Sequence, residues 1–349
     1  TDIKEILTIA KTLEIASCDK AAINCDSLSV YTNSLQEKIK AGVNADEYDK
    51  PLKGLRIVVD AGNGAGGFFV EKVLAPLGAD TTGSQFLEPD GMFPNHIPNP
   101  EDKVAMEAIK SAVIKNNADL GIIFDTDVDR MAAVLPDGSA VNRDAIIAMM
   151  AAILAKDYPG STIVTDSVTS DGLAEFIEKD LGGVHHRFKR GYKNVIDEAI
   201  RLNDEGVESP LAIETSGHAA LKENYFLDDG AYLITKIVIE LGRGRDLNKT
   251  LAALKMPKEE RECRLNITEE AFKVYGLRVI DELEAFVSSD PATYKVADDN
   301  REGIRVSFDK ENGDGWFLLR LSVHDPIMPL NIESDCTGGV EIIYNKLYE

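Results

Sequence analysis

From Leu55 onward, short runs of branched and aromatic apolar residues alternate with longer stretches whose apolar positions recur every three or four residues. That alternation constrains the fold more than any other feature of the chain. The pattern reads as a strand at 55–59, a glycine-rich turn, a helix at 68–77, a proline-rich loop at 88–101, a helix at 104–116 and a strand from Leu120. It resumes after a helix at 145–156 with a strand at 162–165, helices at 172–180 and 192–203, a strand at 211–214 and a helix at 229–241. Strands alternating with helices predict α/β layers with a mostly parallel sheet. Beyond Met256 the order changes to a strand at 261–267, a helix at 270–286, strands at 304–308, 316–322 and 330–333, and a terminal helix, which predicts a smaller α+β unit. The expected architecture is therefore two α/β mixed-sheet units, 52–157 and 158–256, followed by an α+β unit, 257–349. Before them, a helix at 2–17 capped by Asp2 and Glu5 precedes an aperiodic linker from Lys40 to Lys53.

A chain of 349 residues with 44% hydrophobic content exceeds one ordinary core, in agreement with several units. A net charge of -22 argues against nucleic acid or an anionic membrane as partner, so an anionic substrate needs a locally positive pocket. Cys18, Cys25, Cys263 and Cys336 form no CxxC pair, and neither a zinc site nor a disulfide framework is expected. No apolar run approaches the roughly 20 residues of a membrane span, and the N-terminus lacks a basic-then-apolar signal layout. The expected location is the cytoplasm.

The chemistry concentrates where the apolar strand from Leu120 to Phe124 runs into Asp125-Thr126-Asp127-Val128-Asp129-Arg130. Carboxylates at alternate positions with no interleaved cation repel one another, which points to a divalent cation with oxygen ligands, Mg²⁺ first. An EF-hand needs Gly at the sixth loop position and Glu at the twelfth, where this chain has Arg130 and Pro136. A haloacid-dehalogenase-type phosphatase, with Asp125 as nucleophile and Asp127 as acid, fits the string but normally opens its domain with it. A polar turn between two strands is the plainest alternative.

The cluster Gly62-Asn63-Gly64-Ala65-Gly66-Gly67 formally matches a dinucleotide fingerprint, but Asp60 at the strand end would repel a pyrophosphate, and a tight structural turn fits better. At the end of another strand lie Glu214, Thr215, Ser216, Gly217 and His218. Glu214 and Ser216 can hydrogen-bond vicinal hydroxyls, and His218 can move a proton near neutral pH. Lys189, Arg190 and Lys193 can supply positive charge for a phosphate or form an ordinary solvated helix face. Arg320 can bind a phosphate bidentately with Ser322 and His324 donating alongside, or it can cap a sheet edge.

In this order the motifs resemble the α-D-phosphohexomutases, the phosphoglucomutase/phosphomannomutase family, from Leu52 to the end. The 125–130 loop is similar to the family's metal loop, 214–218 to its sugar-specificity loop and 320–326 to its phosphate loop. The segments Val58 to Gly64, Pro89 to Pro94 and Asn99-Pro100-Glu101 are similar to its second domain. The resemblance implies a mutase interconverting hexose 1- and 6-phosphates of glucose or mannose through a phosphoserine and a hexose 1,6-bisphosphate. It implies that Asp125, Asp127 and Asp129 hold Mg²⁺, that Arg130 steadies the transferring group, and that Glu214 and Ser216 bind sugar hydroxyls. It further implies that His218 assists proton transfer and that Lys193, Arg320 and Ser322 hold the distal phosphate.

Two departures stand out. The family's serine loop has no counterpart here, so 1–51 reads as the tail of a missing N-terminal domain plus linker, and the chain alone is expected not to complete a cycle. A sugar-phosphate-binding protein without catalysis is the alternative. The phosphate loop has Val323, His324 and Asp325 in place of Asn, Thr and Glu, and Pro329 in place of a further basic residue. Arg190, where the family often has Val, is expected to restore the missing charge.

Overall fold

The computed structural model describes residues 2–13, 25–322 and 325–347. Cys18, the proposed Asp2 cap side chain, Val323 and His324 fall outside the described residues. Helix α1 (Asp2–Thr12) precedes α2 (Ser27–Val43), and the first sheet then forms from β1 (Ile57–Asp60), β2 (Leu120–Phe124), β3 (Met131–Val134) and β4 (Ala140–Val141), in that order across the sheet. Only β1 and β2 run parallel, while β3 and β4 are antiparallel, so this sheet is mixed rather than mostly parallel.

Every residue of β2 is buried, as expected of a strand covered on both faces. Alternation along the strands divides the packing. Val58 and Ile123 meet Ile109 and Val113 of α3 (Lys103–Asn116). Val59, Ile122 and Phe124 face the opposite way, into a cluster that includes Phe69, Leu74 and, from α2, Leu35 and Ile39. Helix α3 starts where Asp102 accepts the backbone N–H groups of Val104 and Ala105, and stops at Asn117 in the left-handed region.

The linker expected from Lys40 is a correction. Lys40 to Val43 are the last turn of α2, which buries Thr32, Leu35 and Ile39 and ties Tyr31 Oη to Asp229 Oδ1 at 2.6 Å. Its apolar stripe is too narrow to announce a helix in the sequence. Helix 68–77 is likewise irregular, with a π-type turn at Val70–Leu74.

Helix α4 (Asp144–Leu154), buried almost all round, joins this unit to the second, as its uniformly apolar sequence requires. The second unit contains β5 (Thr162–Thr165), α5 (Asp171–Glu175), β6 (Val184–Arg187), α6 (Tyr192–Asp204), β7 (Leu211–Ile213), β8 (Ala219–Leu221), α7 (Gly230–Gly242) and α8 (Leu247–Thr250). Its sheet has the order β6-β5-β7-β8, with β5 parallel to both neighbours and β8 antiparallel. Ile163, Leu211 and Ile213 belong to the same hydrophobic cluster as Val59 and Ile122, so the two α/β units share one core.

The third unit is a fully antiparallel sheet with its own core. It comprises β9 (Glu259–Asn266), α9 (Phe272–Ser289), β10 (Lys295–Val296), β11 (Ile304–Phe308), β12 (Gly315–Leu319), β13 (Ile327–Ser334) and α10 (Gly339–Lys346), with sheet order β10-β11-β12-β13-β9. No helix among the described residues is long and apolar enough to cross a membrane.

Candidate functional site

The aspartate loop is the turn of the β2–β3 hairpin, and Asp125 organises it. Its Oδ1 accepts the backbone N–H groups of Val128 at 3.0 Å and Arg130 at 3.1 Å, and its Oδ2 accepts Arg130 Nε at 2.9 Å. Val128 pays for the turn with φ of 72°, a conformation that β-branched residues seldom adopt. The glycine-rich turn after β1 supports the loop from behind, with Ala65 N–H donating to Thr126 O at 2.8 Å. Asp60 is turned inward to Gly62 N, Gln85 Nε2 and His96 Nε2, which accounts for the glycine cluster structurally.

Carboxylate oxygens of Asp125, Asp127 and Asp129 lie within 4.8 Å of one another. Asp129 Oδ1 is buried with no hydrogen-bond partner among the described residues. Its carboxyl is pushed up to about 7, first by burial and then by Asp125. A buried oxygen without a hydrogen bond, 3.8 Å from Arg130 Nε and among three carboxylates that form an all-oxygen donor set, fits a hard divalent cation.

An isolated antiparallel bridge pairs Arg130 with His218 and brings the second unit's 214–218 loop onto this hairpin. The contact needs Gly217, whose φ is +98° and where a Cβ would lie 2.8 Å from Met131 O. His218 Nδ1 meets Asp228 Oδ2 at 2.7 Å and Asp129 Oδ2 at 3.7 Å, and the ring stacks on Tyr192 at 5.1 Å. Burial alone would lower its pKa, but the hydrogen bond to Asp228 and the Asp228 and Asp129 charges outweigh burial and raise it.

Glu214 lies deeper, 3% exposed, with Oε1 on Gly191 N and Oε2 accepting Ser216 Oγ at 3.3 Å. Burial, then the Asp166 carboxylate, pushes it up to about 7. Asp166 also accepts Thr215 Oγ1 at 2.7 Å and lies 3.7 Å from Arg190 Nε.

Arg190 opens onto a cleft of about 590 Å³ that is also lined by Asn99 and Arg143 from the first unit, Thr215 from the second, and Arg320 and Ser322 from the third. Arg320 Nε is buried without a partner among the described residues. The structure thus gathers Asp125, Asp127, Asp129, Arg130 and His218 at one end, Arg190, Arg320 and Ser322 at the other, and Glu214 and Ser216 on the loop between. Lys193 is not brought in. It pairs with Asp197 one helical turn along α6 and is 74% exposed. His324 lies outside the described residues.

The sequence reading missed Asp166, Asp228 and Arg143, and named Asn99 only within a segment similar to the family's second domain, without a role. Asp166 had a signal, since it directly follows a buried strand as Asp125 does, and the carboxyl ends of parallel strands are where such sheets place their sites.

Residues 29–138 match the family model for phosphoglucomutase/phosphomannomutase, alpha/beta/alpha domain II, and residues 142–256 match that for domain III. A phosphoglucomutase of Neisseria gonorrhoeae is 30% identical over 348 residues, covering 99% of this chain and 70% of the relative. A phosphomannomutase/phosphoglucomutase of Pseudomonas putida is 30% identical over 84% of this chain and 60% of its own length. The crystal structure of a phosphoglucomutase/phosphomannomutase family protein from Burkholderia thailandensis superposes with a TM-score of 0.74 at 27% identity, over 91% of this chain and 63% of that one. On two domain matches that together span more than half its length, and on relatives at this identity, the chain belongs to the phosphoglucomutase/phosphomannomutase family, whose members are intramolecular phosphotransferases.

Proposed function

We propose that these residues form the metal, sugar and phosphate sides of a hexose-phosphate mutase cleft, in units 52–157, 158–256 and 257–349, with α2 packed onto the first. The observation that carries this reading is the pairing of Arg130 with His218, which sets a three-carboxylate loop against a polar sugar loop that continues to Arg190 and Arg320. Asp125, Asp127 and Asp129 would hold Mg²⁺. Bound there, it would neutralise charge on a transferring phosphoryl group.

The chain's own groups then have defined tasks. Arg130, held by Asp125 at Nε, faces the transferring phosphoryl. With Nδ1 of His218 engaged by Asp228, Nε2 is the nitrogen left to take the proton of the attacking sugar hydroxyl. Glu214 and Ser216 bind sugar hydroxyls that glucose and mannose share. Arg190, Arg320 and Ser322 hold the distal phosphate, Arg190 restoring the charge that the altered phosphate loop lacks. The phosphoserine that donates and recovers the phosphoryl group is supplied from outside these 349 residues. The expected setting is the cytoplasm.

The alternative, a phosphatase using Asp125 as nucleophile, predicts release of inorganic phosphate that depends on Asp125. The test pairs calorimetric titration of the full chain with glucose 1,6-bisphosphate in Mg²⁺ with a glucose 1-phosphate to 6-phosphate assay. Binding without turnover is expected. Absence of binding would overturn the cleft assignment, and robust turnover would overturn the external phosphoserine.

A further inference from the structure

In the cleft just described, Arg190 comes from the second unit and Arg320 from the third, so their spacing depends on what clasps the third sheet to the second. Segment 299–305 does this with three side chains spaced three residues apart. Asp299 Oδ2 accepts Arg187 Nη1 at 2.7 Å. Arg305, its guanidinium 3.6 Å above the Trp316 ring, donates to Ser167 O at 3.0 Å and to Asp171 Oδ1 at 2.9 Å. Between them Glu302 Oε1 accepts the backbone N–H of Arg190 at 2.9 Å together with the hydroxyl of Ser167.

The next residue fixes the other side. Gly303 has φ of +55°, and a Cβ there would lie 2.1 Å from Leu319 O and 2.8 Å from Arg320 Cα. Glu302 therefore reaches the backbone of Arg190 through its carboxylate, while Gly303 next to it lies close against the backbone of Arg320. Glu302 directs its carboxylate to a main-chain N–H and a hydroxyl and not to a guanidinium, while the Arg190 guanidinium lies 3.7 Å from Asp166 and 3.8 Å from Glu101. Glu302 is also the carboxylate that acts most strongly on Arg320, offsetting the repulsion between the two arginines.

We infer that Glu302 is a positioning residue that sets the spacing of Arg190 and Arg320 and thereby the recognition of the distal phosphate of a hexose phosphate, an inference that rests on the cleft reading above. Aspartate at this position would be too short to span the two donors, and alanine would leave the Arg190 N–H and the Ser167 hydroxyl without an acceptor.

The experiment measures glucose 6-phosphate binding by calorimetry, and amide exchange of the 188–192 peptide by mass spectrometry, in the full chain and its E302A and E302Q variants. E302A is expected to weaken binding about tenfold and to speed exchange at Arg190. E302Q keeps an acceptor oxygen and should restore most of both, a rescue that a bulk packing role would not produce. Wild-type binding that E302A leaves intact, or unchanged exchange at Arg190, overturns the inference alone. No binding by the wild type overturns the cleft reading and this inference with it. Should E302A fail to fold, Ser167→Ala, which removes one of the two donors, decides by the same two readouts.

Discussion

Substituting Gly217 by alanine tests the contact on which the two halves of the site depend. Two costs can be separated from the geometry. The first is conformational, since φ of +98° places an L-residue in the left-handed region at about 1–2 kcal/mol. The second is steric. The new Cβ would stand 2.8 Å from Met131 O and 3.4 Å from Met131 N, and Met131 is fixed by its pairing with Phe124 in the β2–β3 hairpin. Backbone locked in a sheet yields poorly, and such overpacking costs about 1–3 kcal/mol. Gly206 is the internal control, with φ of +84° and nothing within 4 Å of its virtual Cβ, so Gly206→Ala carries the first cost without the second. Equilibrium urea unfolding should therefore find Gly217→Ala about 1–3 kcal/mol more destabilising than Gly206→Ala. Calorimetry should find weakened hexose-phosphate binding in Gly217→Ala alone. Equal destabilisation by the two variants would refute the reasoning, because the close approach of the 214–218 loop to the hairpin would then carry no energy.

Two further predictions concern charge. Glu333 is 6% exposed, and burial, followed by the Asp144 carboxylate, pushes its carboxyl from 4.5 up to about 8. The folded chain keeps a proton that the unfolded chain releases, so this group's stabilisation is complete below pH 4.5 and is lost as pH rises to about 8, at no more than about 1.4 kcal/mol per pH unit. In Glu333→Gln the urea midpoints at about pH 5.5 and 7.5 should lie closer together than in the wild type, and an unchanged gap would contradict the assignment. Arg190→Ala should weaken hexose-phosphate binding several-fold more than Arg278→Ala, whose side chain is 65% exposed on α9 away from the cleft. Equal effects would remove Arg190 from the phosphate site.

What could be read directly from the residues was governed by burial. A strand covered on both faces, such as β2, announces itself as an apolar run, and the aspartate loop stands out because alternating carboxylates repel one another. Strand β6, Val184–Arg187, escaped notice because two histidines and an arginine on an edge strand carry no apolar period. Helix α2 escaped because it buries only one narrow stripe. Lys193 misled for a related reason. Lys189 and Arg190 precede it by four and three residues, but the helical turn directs it to Asp197 and solvent, whereas Arg190 before the helix faces the cleft. The clasp at Glu302 was illegible, since its partners Ser167 and Arg190 are more than a hundred residues away in the chain.

The central claim, that three aspartates form a cation site facing a sugar-phosphate cleft, is tested most directly by calorimetric titration of the protein with Mg²⁺ alongside Asp127→Asn. Asp127 is exposed and has no hydrogen bond to the rest of the loop, so its exchange should leave the hairpin intact. The account predicts uptake of Mg²⁺ by the wild type that disappears in the variant. Absence of uptake, or uptake undiminished by Asp127→Asn, would contradict it.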